Sequence, residues 1–188
     1  SLHDALPIWA RFGAVGAIAR PVPGIVPRSI SWASPRRKAT DRAALESFDA
    51  AIEIDPSYGS ALAARSKVLA VIANETGRGE ETPGLYDRAV ASAKAAIKAS
   101  PNLAEAHSAL GYAIYNGRLD PRSARTSYDR SRELGDGDAD VLRAFALYCA
   151  FSQRPDDAET AMASSLELDP RTFDTLRHIP LADEIVQH

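Results

Sequence analysis

The chain has 188 residues, 45% hydrophobic and 25% charged, a composition typical of a folded globular protein. Its single cysteine, Cys149, excludes an intramolecular disulfide, so we expect a cytoplasmic protein. Residues 9–38 hold six basic residues and no acidic one, whereas residues 39–188 carry a net charge of −8. An acidic body does not suit binding to phosphate backbones, and the apolar stretch 12–19 is too short to span a membrane. We therefore expect neither direct nucleic-acid binding by residues 39–188 nor a membrane span.

The N-terminal segment divides into two parts. Residues 1–8, SLHDALPI, read like the translation of a sequencing adapter, and we interpret them as a scar on a fragment whose preceding domain is missing. In residues 9–38, four prolines and three glycines interrupt helical periodicity, which indicates an irregular leader. Three interpretations stay open for this leader: a flexible basic linker, an arm that binds nucleic acid or acidic lipid, and sequence read out of frame.

The remaining chain contains an internal repeat. Its anchors are Pro56, Pro101, Asp136 and Pro170, at intervals of 45, 35 and 34 residues. Small and large residues recur before each anchor with a spacing of four and then three, which places them on one helical face. These triplets are Ala44/Phe48/Ala51, Ala89/Ala93/Ala96, Ala124/Tyr128/Ser131 and Ala158/Met162/Ser165. The period predicts stacked helical hairpins.

The segment HSALGYAI carries the most specific motif. Leu110 and Gly111 stand at the Leu-Gly positions of the signature W-x2-L-G-x2-Y, with His107 for the Trp and Ile114 for the Tyr. On these residues and the anchors, the chain resembles the tetratricopeptide repeat (TPR) family over residues 40–175. The resemblance implies an all-α, antiparallel helix-hairpin solenoid with a right-handed superhelix. It places about three hairpins and a preceding half in residues 39–175, and a cap or truncated repeat in residues 176–188.

Three details of the repeats lead to structural expectations. In the third linker, we expect Gly135 to adopt a positive φ at a helix C-terminus and Asp138 to cap the next helix. The interval of 45 residues exceeds the repeat length, and we assign the excess to a Gly- and Glu-rich turn at residues 74–84. Small residues should allow close helix approach, while Phe48, Tyr128 and Met162 fill the space between hairpins.

The sequence offers no catalytic, metal or cofactor motif, and we predict a protein that is not an enzyme. His107 stands at a core-facing repeat position, which favours a structural role. Cys149 stands where other repeats have a core residue, so we expect a buried small hydrophobe. The run from Asp136 to Asp140 lacks the Gly and Glu of a calcium loop, and we interpret it as helix capping.

The resemblance further implies a ligand groove lined by the first helices of successive hairpins. Its predicted residues are Lys67, Val71, Ser108, Tyr112, Tyr115, Asn116, Arg143, Leu147 and Phe151. Tyrosine and arginine are common at binding hot spots, although Tyr112 and Tyr115 could equally pack between hairpins. Only Lys67 and Arg143 supply positive charge, so a clamp for a peptide carboxyl terminus is not evident.

We therefore predict a non-catalytic module that binds a protein or peptide partner. The alternative is the sensory or regulatory arm of a bacterial transcription regulator or cyclase, with its output domain missing upstream. Because the ends of a solenoid need polar caps, we also expect a tendency to self-associate.

Overall fold

The protein is described by a computed structural model that covers residues 35–76 and 79–170. Seven α-helices and no strand occur in these ranges. In chain order they are α1 (Pro35–Ile54), α2 (Gly59–Thr76), α3 (Thr82–Ala99), α4 (Ala104–Arg118), α5 (Pro121–Leu134), α6 (Ala139–Phe151) and α7 (Pro155–Leu168). The interpretations of residues 1–8, 9–34 and 176–188 lie outside the described residues.

The helices form three hairpins after an initial single helix. α2 pairs with α3, α4 with α5 and α6 with α7, and each hairpin packs on the next. α1 packs against α2 and occupies the place of a second helix. The predicted all-α hairpin repeat is confirmed, with three hairpins and a preceding half. α1 begins at Pro35, four residues before the start predicted for the repeat region.

Proline starts every second helix of a hairpin. Pro83, Pro121 and Pro155 lie in the first turns of α3, α5 and α7, where a missing N–H costs no helical hydrogen bond. The anchor prolines Pro56 and Pro101 instead lie in the turns between hairpins, three residues before the next first helix. One set of prolines therefore marks the connections within hairpins, and the other marks connections between hairpins.

The linker before α6 confirms one prediction and corrects another. Asp138 caps α6, since its carboxylate accepts hydrogen bonds from the backbone N–H groups of Asp140 and Val141 at 2.8 and 3.0 Å. Gly135 has a φ of −118°, so the expected positive φ is wrong. A Cβ at Gly135 would lie 2.7 Å from Val141 Cγ1 and 2.9 Å from Ala104 Cβ. Glycine stands there because two helix starts approach its backbone.

The left-handed conformations occur elsewhere, in the turns inside hairpins. Leu119 has a φ of 51° and Gln153 a φ of 59°, and each lies two residues before the proline that starts the next helix. Their separation of 34 residues repeats the period of the hairpins. An L-residue in this conformation costs about 1 kcal/mol.

The extra residues of the first hairpin lengthen its helices more than its turn. Residues 74–76 belong to α2 and residues 82–84 to α3, which leaves residues 77–81 as the connection. α2 and α3 have 18 residues each, against 13 to 15 in the other hairpins. The prediction of an inserted turn over 74–84 is therefore corrected: both helices extend past the edge set by the later hairpins.

Close approach of the two helices of a hairpin is best seen at Gly111 of α4. A Cβ at this position would lie 2.7–3.0 Å from three ring atoms of Tyr128 on α5. The Tyr128 ring stacks in turn on Tyr148 of α6, with centroids 4.3 Å apart and planes at 13°. Tyr128 therefore fills the space between two hairpins, as predicted.

Buried hydroxyl groups add hydrogen bonds to this packing. Ser131 Oγ donates to the carbonyl of Ala104 at 2.9 Å, and Ser165 Oγ donates to that of Ala139 at 2.7 Å. Each bond joins the end of a second helix to the first residue of its own first helix. These serines occupy the small-residue position of the repeat, so their role includes a polar contact as well as small size.

We predict opposite effects of alanine at two helical glycines. Gly111→Ala forces a methyl group against Tyr128, and overpacking of about 1–3 kcal/mol exceeds the helix-propensity gain of about 1 kcal/mol. Gly84→Ala should raise the free energy of unfolding by about 0.5 kcal/mol, because nothing lies within 4 Å of its added Cβ. Urea denaturation measures both, and an equal gain in the two variants would contradict the close approach.

We also predict that Ser131→Ala lowers the free energy of unfolding by about 1 kcal/mol through loss of the buried hydrogen bond. Ser164→Ala is the matched control, because Ser164 Oγ bonds only to Thr160 within its own helix. The control should show no loss. Equal free energies of unfolding for the two variants would contradict the proposed role of the Ser131 hydroxyl.

Candidate functional site

The first helices of the hairpins form one continuous layer. α4 contacts α2 on one side and α6 on the other, and the contact with α2 is the more extensive. We call the surface of this layer that carries the predicted ligand residues the groove face.

Charged residues cluster near the starts of α4 and α6. Lys67 of α2 lies half-buried there, within the electrostatic reach of Asp140, Glu105 and Arg143. Arg143 Nη2 is bound to Asp140 Oδ1 at 2.8 Å, whereas Lys67 forms no salt bridge among the described residues. Burial lowers the pKa of Lys67, and the attraction of Asp140 and Glu105 opposes this shift only in part.

The middle of the groove face is aromatic. Tyr112 of α4 is half-buried and packs against two groups of buried residues, one that includes Leu69 of α2 and one that includes Phe145 of α6. Its hydroxyl accepts a hydrogen bond of 2.8 Å from Asn74 Nδ2, and Asn74 Oδ1 accepts one from the hydroxyl of Tyr86. Burial raises the pKa of Tyr86 to about 12, so its hydroxyl stays a donor even in moderately alkaline solution. The network links α2, α3 and α4.

Asn74 was not among the predicted groove residues. It lies in the last turn of α2, within the segment that the sequence assigned to an inserted turn. The additional length of α2 carries its amide to the Tyr112 hydroxyl. The sequence would have pointed to Asn74 only if residue 74 had been assigned to the helix and not to the turn.

Tyr115 belongs mainly to the packing between hairpins. Its ring meets Tyr148 edge-on, with centroids 6.3 Å apart, and burial raises the pKa of its hydroxyl. Tyr148 also donates a hydrogen bond of 3.0 Å to the carbonyl of Pro121. The structure therefore gives Tyr112 and Tyr115 different surroundings, which the sequence could not distinguish.

The remaining predicted residues differ in accessibility. Ser108 is only 1% exposed, so its side chain offers a partner little surface. Asn116 donates from its amide to the carbonyl of Tyr112 at 2.9 Å. Val71 and Leu147 are half-buried, and Phe151 at the end of α6 is 58% exposed. Phe151 is the most accessible large apolar side chain of the set.

The groups considered for chemistry have structural surroundings. His107 is half-buried, and its Nε2 lies 2.8 Å from the carbonyl of Pro101 in the preceding turn. Cys149 is buried, as predicted, and burial raises the pKa of its thiol to about 12. A thiol with so high a pKa is a poor nucleophile. In residues 35–76 and 79–170, no cluster of His, Cys, Asp and Glu could hold a metal ion.

None of the described helices combines the length and the apolar character that crossing a bilayer needs.

We predict that Lys67→Met stabilises the protein at neutral pH by up to about 1 kcal/mol. The folded-state pKa of Lys67 lies below its ordinary 10.5, so the protonated form is disfavoured by folding. The gain should shrink as the pH rises from the lowered folded-state pKa toward 10.5, above which the lysine is uncharged in both states. The exposed Lys94 provides the control Lys94→Met, which should change the urea midpoint little. A loss of stability in Lys67→Met would contradict an uncompensated charge.

Comparison with known proteins bears on the fold. No family model matches the chain, and no curated protein matches its sequence. The fold is similar to the crystal structure of TTC0263, a thermophilic TPR protein of Thermus thermophilus, with a TM-score of 0.64 and 20% identity over 81% of this chain and 76% of that one. It is also similar to the crystal structure of MamA, with a TM-score of 0.51 and 22% identity over 81% of this chain and 86% of that one. These likenesses show that the chain has the fold of a TPR protein.

Proposed function

We propose that the protein is a non-catalytic interaction module whose groove face binds a protein or peptide partner. The observation that carries the proposal is the row of partly accessible side chains on three successive first helices. Lys67 on α2, Tyr112 on α4, and Leu147 and Phe151 on α6 share this layer. Packing between hairpins uses the buried sides of these helices, so the accessible mixture of charge and aromatic surface is available for recognition.

Lys67 supports a functional interpretation because burial of its charged form is unfavourable. Burial lowers the pKa of its half-buried ammonium group, and it forms no salt bridge among the described residues. Violations of simple packing rules are expected at functional sites. A carboxylate on the partner would remove the cost and gain a charge-assisted hydrogen bond. We therefore propose that the partner places an acidic group near Lys67.

The other end of the groove face favours an apolar side chain of the partner. Phe151 and Leu147 lie one helical turn apart on α6, so they share a face of that helix. Burial of an exposed phenylalanine by a ligand is worth about 1.5–3 kcal/mol. Tyr112 lies on the neighbouring helix, and its aromatic ring suits a hot spot because few torsions are ordered on binding.

The proposal predicts which substitutions weaken binding. Random peptides displayed on phage would be selected against the full chain and measured by fluorescence anisotropy. Phe151→Ala should weaken the selected peptides about tenfold, corresponding to about 1.4 kcal/mol. Lys67→Met should weaken those peptides that carry an acidic residue. Tyr58→Ala is the matched control, because Tyr58 is an exposed aromatic residue in the turn before α2 and lies outside the groove face.

Unchanged affinity in both Phe151→Ala and Lys67→Met would overturn the assignment of the binding surface. A loss of affinity in Tyr58→Ala of the same size would also overturn it. Circular dichroism of each variant checks that the helices are intact.

A further inference from the structure

Two large apolar side chains are exposed at one edge of the stack, where the first helices of the second and third hairpins end. Leu119 is 71% exposed in the turn after α4, and Phe151 is 58% exposed at the end of α6. Phe151 is on the groove face, whereas Leu119 was not among the predicted groove residues. A single exposed leucine needs no explanation, but exposed apolar residues that lie together often mark an interaction site. We call these two residues the edge patch.

Contacts between the two hairpins bring the members of the edge patch close to each other. One turn before Leu119, the ring of Tyr115 meets the ring of Tyr148, with centroids 6.3 Å apart. Tyr148 stands one turn before Phe151, and its hydroxyl donates to the carbonyl of Pro121 at 3.0 Å. These contacts hold the turn that carries Leu119 against the last turns of α6. Because packed helices lie about 8–10 Å apart, one large side chain of a ligand can touch both members of the patch.

The backbone of Leu119 is also unfavourable for a leucine. Its φ of 51° and ψ of 34° lie in the left-handed region, which asparagine and glycine adopt more readily. Gln153 has a φ of 59° in the equivalent turn of the next hairpin, so the fold requires this backbone conformation but not a leucine. A leucine that is both exposed and conformationally unfavourable contributes little to folding. Outliers of this kind are common at ligand sites.

The charges beside Leu119 are positive. Arg118 and Arg122 lie on either side of it in the chain, are exposed, and form no salt bridge among the described residues. The carboxylate of Asp120 between them serves as the cap of α5, where it accepts from the backbone N–H of Arg122 at 2.9 Å. In the next hairpin, by contrast, the first turn of α7 is acidic. An acidic group of a ligand is therefore favoured on the Leu119 side of the edge patch.

We propose that Leu119 is a further binding residue of the groove face, and that the peptide partner places one large apolar side chain over both Leu119 and Phe151. An acidic residue next to that side chain lies near Arg118 and Arg122. The inference rests on the proposed function, because the same peptide occupies the groove face. It extends the ligand site over the edge of the stack, beyond the first helices on which the groove residues were predicted.

The conformation of Leu119 allows a test that separates binding from stability. Peptides selected by phage display against the full chain would be measured by fluorescence anisotropy. Leu119→Asn should weaken them about fivefold through loss of the apolar contact, yet raise the urea midpoint, because asparagine tolerates the left-handed conformation. Leu119→Met keeps an apolar side chain and should keep the affinity. Gln153→Asn is the matched control, and it should raise the urea midpoint without loss of affinity.

The charges are tested with the same peptides. We expect the selected sequences to carry an acidic residue beside the large apolar one, and Arg122→Gln should weaken these peptides about threefold. Arg130→Gln is the matched control, because Arg130 already pairs with Glu133 on α5 at 2.9 Å. Selected peptides without the acidic residue, or equal losses in the two variants, would contradict the placement of the acidic group.

Unchanged affinity in Leu119→Asn would overturn the inference, and so would an equal loss in Gln153→Asn. If Phe151→Ala weakens the same peptides while Leu119→Asn does not, the groove face stands and only its extension to Leu119 fails. If neither of these substitutions nor Lys67→Met changes the affinity, the proposed binding surface fails and the inference fails with it. Circular dichroism of each variant verifies that the helices are intact.

Discussion

The fold depends on the distance at which the two helices of a hairpin can approach each other. At Gly111, the absence of a side chain lets the ring of Tyr128 lie directly on the backbone of α4. The same ring stacks on Tyr148 in the next hairpin. One small residue therefore positions an aromatic side chain that joins two hairpins. Because each hairpin contacts only its neighbours, such contacts determine how successive units are placed.

This packing also determines what the first helices can present to a partner. α4 packs against both α2 and α6. Residues on its buried side, such as Ser108, are therefore not accessible to a partner. Tyr112 stands at the border of the buried side, with its ring against the core and its hydroxyl bound to Asn74. The proposed binding surface therefore includes a side chain that also packs in the core. A change in the hairpin spacing would alter both.

The sequence predicted the helical repeat well because its period and its small residues are direct consequences of hairpin packing. The cap at Asp138 could also be predicted, since a side chain that accepts from nearby N–H groups is a local property. The close contacts at Gly135 could not be predicted, because they involve Ala104 from a neighbouring hairpin. Small size at Ser131 was evident, but the carbonyl that accepts its hydrogen bond lies 27 residues away.

The accessibility of the residues assigned to the groove face could be predicted less well, for the same reason. A repeat register assigns residues to a face, but burial depends on how closely the neighbouring helix lies. The extensive contact of α2 with α4 buries Ser108, whereas Phe151 at the end of α6 stays exposed. The lengths of α2 and α3 were obscured by the glycines at residues 77 and 79, which suggested a longer turn. Asn74 was missed with them.

The central claim, that Tyr128 on the backbone of Gly111 sets the hairpin spacing, is tested most directly by a double-mutant cycle. Urea denaturation would give the free energy of unfolding of the parent protein, of Gly111→Ala, of Tyr128→Ala and of the double variant. With the ring absent, the methyl group of the alanine has room, so Gly111→Ala should be neutral or stabilising in the Tyr128→Ala background. Additive losses from the two substitutions would contradict the direct contact.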